Sequence, residues 1–271
     1  ARVKKMAFSI KNNGGDDDIY PTQEQTAKSI HQHFLAGRNQ VELRADCQQG
    51  KTGTIYCLMN ECALSAQANG ASIFVLYLIC QSALELKRQT SERVEKMIKQ
   101  HYANFGEAKW VVFHHGDAES YVDSKKNNNF SPFSSVEFEP DTTYQPSRDY
   151  LLVVLDESHI GTAVDSVVDQ FLGCLGIRRG AHPSTWANKR AWLTLVSATD
   201  FGNEAMRLGG GSLAVVDMVK SPNYYGTPDL LSRAKLRSAK DSYLDTRGVL
   251  SRWMTDTVLP AMKVYIEGPF Q

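Results

Sequence analysis

A chain of 271 residues with 30 basic and 30 acidic side chains cannot hold nucleic acid by bulk charge, so any such binding must come from a local groove. Apolar residues, at 42 %, suffice for a real core in one generous α/β domain or two small ones. Five cysteines, an odd number without a Cys-x-x-Cys pair, argue for buried thiols in a reducing, intracellular setting, cytoplasm or eukaryotic nucleus.

Arg2, Lys4 and Lys5 precede no long apolar stretch, so no signal peptide is expected. The longest apolar run, Ala71 to Cys80, is too short to span a membrane and fits a buried strand, so no membrane partner is expected either. Residues 1–18 are polar, with Asn12-Asn13-Gly14-Gly15 and aspartates at 16, 17 and 18, and read as a flexible arm. In the run Ile19-Tyr20-Pro21-Thr22-Gln23-Glu24-Gln25, Thr22 is a suitable helix N-cap. The helix it would start carries Ala27, Ile30 and Phe34 on one face and ends at Gly37. An apolar strand at 41–45 follows, then a polar loop and a helix over 52–67.

Ser72 to Ile79 is the second strand and 81–101 a long helix with apolar Leu84, Val94, Met97 and Ile98. Its Lys87, Arg88, Arg93 and Lys96 fit a solvated face. Trp110 to Phe113 is the third strand, closed by His114-His115-Gly116; adjacent histidines on a strand point to opposite sides, which disfavours a two-histidine metal site. Residues 117–149 show no clear period and read as a polar insertion with a short hairpin near 136–138. Tyr150 to Leu155 is wholly apolar, as in a parallel strand covered on both faces, and ends in Asp156-Glu157-Ser158-His159. A helix over 163–175, a strand from Ala191 to Val196 ending in Ser197-Ala198-Thr199, a strand from Leu213 to Val216, and helices near 229–238 and 249–265 complete the chain. This alternation predicts an α/β fold, a mostly parallel sheet with helices on both faces and ligands at the carboxyl ends of the strands.

The stretch Cys47-Gln48-Gln49-Gly50-Lys51-Thr52-Gly53-Thr54, between a strand and a helix, has the build of a phosphate-binding loop. Helix N-terminal N–H groups lack internal partners and carry partial positive charge, so a triphosphate can sit on the segment from Gln48 and Gln49 through Gly53. Gly50 allows close backbone approach, Lys51 reaches the β- and γ-phosphates, and the Thr52 hydroxyl binds Mg²⁺. The alternative is a polar turn before a surface helix. At the end of the apolar strand, Asp156 would hold Mg²⁺, directly or through water, and Glu157 would orient or deprotonate the water that attacks the γ-phosphate. The alternative there is a pair of acids capping the next helix.

Taken together, the loop, Asp156-Glu157-Ser158-His159, Ser197-Ala198-Thr199 and Pro21-Thr22-Gln23-Glu24-Gln25 resemble, in order, motifs of the superfamily 2 helicases and translocases of the DEAD/DEAH-like group. The resemblance implies a RecA-like P-loop NTPase, with residues 19–220 as the first motor domain and 221–271 as an extension toward a second. It implies ATP and Mg²⁺ as cofactors, DNA or RNA as partner, and nucleic-acid-dependent ATP hydrolysis. By the same resemblance Gln25 reads the adenine edge with Tyr20 stacking nearby, and His159 touches Ser197 or Thr199 to couple nucleotide state to nucleic-acid grip. Ser82 to Gln89, and His115-Gly116, fall where the family contacts the nucleic-acid backbone. Gln48 departs from the family, which usually has glycine there. A Gln-x-x-Gly-Arg-x-x-Arg motif is missing, and the roughly 70 residues after Thr199 are too few for a second RecA-like domain. The expectation is therefore a first motor domain, fragment or natural half-motor, weakly active alone and completed by a second domain in a longer chain or in trans. A nucleic-acid or protein-binding module with a vestigial nucleotide site is the alternative; a P-loop kinase is a third reading.

Overall fold

The computed structural model describes residues 19–45, 50–80, 84–101, 109–126, 144–158, 166–197 and 213–220, all within the first of the chain's two units, Ala1–Pro222. The expected arm at 1–18, the hairpin near 136–138 and the helices near 229–238 and 249–265 lie outside the described residues. The elements are α1 (Pro21–Leu35), β1 (Gln40–Arg44), α2 (Lys51–Ala68), β2 (Ile73–Ile79), α3 (Leu84–His101), β3 (Lys109–His114), α4 (His115–Lys126), β4 (Tyr150–Asp156), α5 (Val167–Cys174), β5 (Ala191–Ser197) and β6 (Leu213–Asp217).

The six strands form one sheet in the order β3-β2-β4-β5-β1-β6, and each neighbouring pair is parallel. Parallel pairing needs crossover helices, and these cover both faces. The β2 sequence IFVLYLI is buried throughout because alternate side chains enter two cores. Val75 and Tyr77 join Leu152 and Val154 under α1, α2 and α3, where Ile30, Ile55 and Val94 pack. Leu76 and Leu78 join Val153 and Leu155 under α4 and α5, with Tyr121 and Phe171 in edge-to-face contact.

Two expectations need correction. Helix α1 begins at Pro21, one residue before Thr22, with Tyr20 in the N-cap position. Proline is favoured at the first helical position, and Gln23 reaches back so that its side-chain Oε1 accepts from the Tyr20 N–H at 2.8 Å. The stretch from 117 is not loop from its start: α4 runs to Lys126, and Ala118, Tyr121 and Val122, at helical spacing, are its buried face. His115 and Gly116 thus open a helix instead of closing a strand, and residues 127–143 of the expected insertion lie outside the described residues. Among the described residues no helix is long and apolar enough to cross a membrane.

After α5 the chain turns at Gly176, with φ +74, and runs through a short 3-10 turn, Pro183–Thr185, before β5. A Cβ on Gly176 would lie 2.8 Å from the backbone nitrogen of Asn188, whose side chain bonds the Tyr144 hydroxyl. Both the left-handed conformation and the close backbone require glycine. Gly176→Ala is expected to lower unfolding free energy by roughly 2 kcal/mol in urea titration, and an unchanged midpoint would contradict this turn.

Candidate functional site

The start of α2, where the sequence leads one to expect a phosphate loop, is built on Gly50. Its φ of +93 puts it in the left-handed region as the N-cap of α2, a conformation glycine adopts at little cost. The Gly50 carbonyl accepts from the Thr54 N–H at 3.2 Å, the first bond of the helix ladder. The N–H groups of Lys51, Thr52 and Gly53 precede that bond and have no acceptor within the helix, an arrangement that suits an anion.

Gln23 holds this turn from the side. Its Nε2 donates to the Gly50 carbonyl at 3.1 Å while its Oε1 takes the Tyr20 N–H. The carboxamide lies against both glycines: a Cβ on Gly53 would come 2.7 Å from Gln23 Cδ, and one on Gly50 would collide with Gln23 Nε2. Gly50 is therefore favoured by its backbone conformation, while a side chain at Gly53 would displace the Gln23 carboxamide from its bonds. Gln25, by contrast, is exposed, as is Tyr20. The glutamine that meets the loop is Gln23, which the Pro21-Thr22-Gln23 spacing could have indicated, since the third helical residue faces back over the N-terminus.

The end of β6 locks the same corner. The Met218 N–H donates to the Arg44 carbonyl at 2.8 Å, and the Val219 N–H donates to Thr26 Oγ1 at 3.1 Å. Thr26 Oγ1 in turn donates to the Thr22 carbonyl at 2.7 Å. Helix α1, strand β1 and strand β6 are thus joined around the loop.

The acidic side sits two strands away. Asp156 ends β4, flanked in register by Ile79 of β2 and Val196 of β5. Both its carboxylate oxygens are held: Oδ1 accepts the Glu157 N–H at 3.0 Å, and Oδ2 accepts the Tyr77 hydroxyl at 2.7 Å. Tyr77 is buried, and its hydroxyl is pushed well above the usual phenol range by burial first, then by the charge and hydrogen bond of Asp156. It therefore stays a proton donor and fixes the carboxylate as an acceptor. Glu157 has φ +53, a left-handed conformation that costs a non-glycine side chain of order 1 kcal/mol. The bonds on either side enforce it: the Ser158 N–H donates to the Val196 carbonyl at 2.9 Å and the Cys80 N–H donates to the Asp156 carbonyl at 3.1 Å. Cys80 itself is no nucleophile, since burial pushes its thiol up to about 12 against the pull of Arg179.

In the order β4-β5-β1, one strand separates Asp156 from the strand that feeds the loop. At the usual strand spacing the two strand ends are about 10 Å apart, both at the carboxyl edge. Among the described residues no group of three or more ligating side chains could hold a metal alone. A magnesium ion at this edge would need phosphate oxygens and water to complete its shell beside Asp156 and Thr52, which is how that ion is commonly bound. The fixed, doubly bonded carboxylate fits such a role.

Of the other expected positions, Gln48, Gln49, Ser82, His159 and Thr199 lie outside the described residues. Ser197 ends β5 in register with Arg44 of β1. Gln89 is exposed on α3, where its Nε2 donates to Glu85 Oε1 at 2.9 Å. Glu85 is also held by Arg88, down to about 2. His115 and Gly116 sit in the first turn of α4, whose Asp117 carboxylate accepts the His114 N–H and pairs with Lys87 of α3, both at 2.8 Å. Sequence reasoning missed Tyr77, an aromatic residue in an apolar strand with no sign of its polar task.

Replacing Gln23 removes a donor from the Gly50 carbonyl and opens the space between the glycines. Gln23→Ala is expected to weaken nucleotide affinity about tenfold in calorimetric titration, and Gln25→Ala less than about twofold. The reverse ranking would show that the loop does not depend on this wedge.

No protein-family model and no curated protein sequence matches the chain. Among solved structures it is similar to the DUF1998 helicase MrfA, with 14 % identity and a TM-score of 0.43 over 95 % of this chain and 40 % of the helicase. It is also similar to the Aeropyrum pernix ORC1 protein solved in complex with DNA, with 14 % identity and a TM-score of 0.39 over 80 % of this chain and 50 % of that one. The ADP form of the ORC2 protein from the same organism gives 14 % identity and a TM-score of 0.35 over 95 % of this chain and 68 % of that one. This chain therefore spans less than half the length of the helicase, and likeness at this level assigns it neither activity nor ligand.

Proposed function

We propose that the chain is an ATP-binding motor domain of the superfamily 2 helicase and translocase type, which hydrolyses ATP to move along or unwind DNA or RNA. The observation that carries the reading is one shared edge. The Gly50-Lys51-Thr52 helix start and the fixed Asp156-Glu157 couplet lie at the carboxyl ends of strands separated by a single strand.

In this reading the N–H groups of Lys51, Thr52 and Gly53 receive phosphate oxygens, and Lys51 Nζ neutralises charge between the β- and γ-phosphates. Thr52 Oγ1 and Asp156 would hold the magnesium ion, which would withdraw charge from the phosphate oxygens. Glu157 takes the proton of a water whose oxygen bonds the γ-phosphorus as the bond to the β-phosphate oxygen breaks, leaving ADP and phosphate. The left-handed turn at Glu157 presents its carboxylate one residue past the metal-facing Asp156, so the two acids take different tasks. By the family resemblance, His159 would contact Ser197 or Thr199 and relay nucleotide state to the nucleic-acid side. A second RecA-like domain, in the same longer chain or in trans, supplies the arginines that speed transfer.

The reading predicts that Lys51→Ala abolishes Mg²⁺-ATP binding, whereas Glu157→Gln keeps binding and lowers turnover at least about a hundredfold. Calorimetry and phosphate release measure the two separately. ATP binding that survives Lys51→Ala unchanged, or turnover that survives Glu157→Gln, contradicts it. Nucleic-acid binding indifferent to nucleotide would favour a binding module instead.

A further inference from the structure

The edge opposite the candidate nucleotide site has its own chemistry. The turns that lead into β1, β4 and β5, which are adjacent in the sheet, comprise residues 37–39, 145–149 and 177–190. They carry Arg38, Arg148, Arg178, Arg179, Lys189 and Arg190 and a single carboxylate, Asp149. Asp149 is 5 % exposed; its Oδ2 accepts the Gln145 N–H at 3.0 Å and its Oδ1 lies 3.9 Å from Arg148 Nε, whose side chain stays exposed. Arg179 is spent in the interior, 2.8 Å from Asp169 Oδ1. Arg38, Arg148, Arg178 and Lys189 are exposed and Arg190 partly so. Neither Arg38 nor Arg178 has a carboxylate within ion-pair distance among the described residues.

These cations are held on a rigid base. Arg190 Nη1 donates to the Arg148 carbonyl at 2.9 Å, and its guanidinium lies 5.0 Å over the Tyr150 ring. Tyr150 stacks on Trp192 at 4.7 Å, and Trp192 on Phe34 at 5.5 Å, a continuous pile from surface to core. The Arg178 carbonyl accepts the Trp186 Nε1–H at 2.8 Å, and Lys189 Nζ donates to the Ser184 carbonyl. Among the described residues, these three neighbouring turns present five accessible cations and no accessible acid, a local concentration of positive charge on a neutral chain.

We propose that this basal edge is a second, nucleotide-independent contact for the phosphate backbone of nucleic acid. Arginine forks match phosphate oxygens two at a time, and side-by-side strands gather the three turns at intervals of about 5 Å. The patch stands on this geometry alone; the choice of nucleic acid over an acidic protein rests on the motor reading.

The test is fluorescence-anisotropy titration of labelled single-stranded and duplex oligonucleotides, without nucleotide, across a salt series. It compares the wild-type chain with a triple variant, Arg38→Gln, Arg148→Gln and Arg178→Gln, whose folding is checked by circular dichroism and tryptophan emission. The variant is expected to bind at least tenfold more weakly at low salt and to lose roughly 2 to 3 from the slope of log affinity against log salt, nearly one per cation removed. Lys51→Ala, measured alongside, is expected to retain this binding, which separates failure of the patch from failure of the nucleotide site. A folded triple variant with unchanged affinity and slope overturns the proposal. So does a polyglutamate competitor that displaces nothing from nucleic acid yet binds the wild type in a way the three substitutions abolish.

Discussion

Parallel pairing is the constraint on which everything else rests. When all strands run the same way, every segment that leaves a strand emerges at one edge, and every segment that enters one gathers at the other. The sheet therefore puts the helix start after β1 and the acids after β4 on common ground without any direct bond between them. The same constraint collects the basic turns at the opposite pole. Two chemically distinct edges follow from one topological choice, made affordable by apolar runs that fill both faces.

Within that frame, local hydrogen bonds turn proximity into geometry. The Gln23 carboxamide spans the N-terminus of α1 and the Gly50 carbonyl, so the entry of the first helix is tied to the start of α2. The Tyr77 hydroxyl does the equivalent for Asp156 from the neighbouring strand. Both devices are neutral donors already in place, so they orient polar groups without adding a charge that would have to be desolvated. The strain at Glu157 is the complementary feature: an unfavourable backbone conformation retained by bonds on either side, as is common where a side chain must point against the run of a strand.

Much of this was legible in the sequence, for reasons that can be named. The strands were found to within about two residues because runs such as Tyr150 to Leu155 have no polar residue at which to turn away from a core. Helix α4 was missed because its buried face is only three residues, Ala118, Tyr121 and Val122, followed by a polar stretch that dilutes the period. A threonine cap at Thr22 puts the helix start two residues late, because Pro21 already fixes the first helical residue behind a Tyr20 cap. Gln23 lies two residues before Gln25 on the same helix, and only its bond to the Gly50 carbonyl sets it apart. Tyr77 was beyond reach: an aromatic residue in a buried strand reads as core, and only its register against Asp156 reveals the bond.

The account's central claim is that the loop after β1 and the carboxylate after β4 grip one metal–nucleotide complex. The most direct measurement is electron paramagnetic resonance of Mn²⁺ replacing Mg²⁺, with a non-hydrolysable ATP analogue, in wild type and in Asp156→Asn. The account predicts bound Mn²⁺ with phosphorus hyperfine coupling in the wild type, and a weakened or lost Mn²⁺ signal in the variant while metal-free nucleotide still binds. An Mn²⁺–nucleotide signal of equal strength and identical shape in both proteins would contradict it.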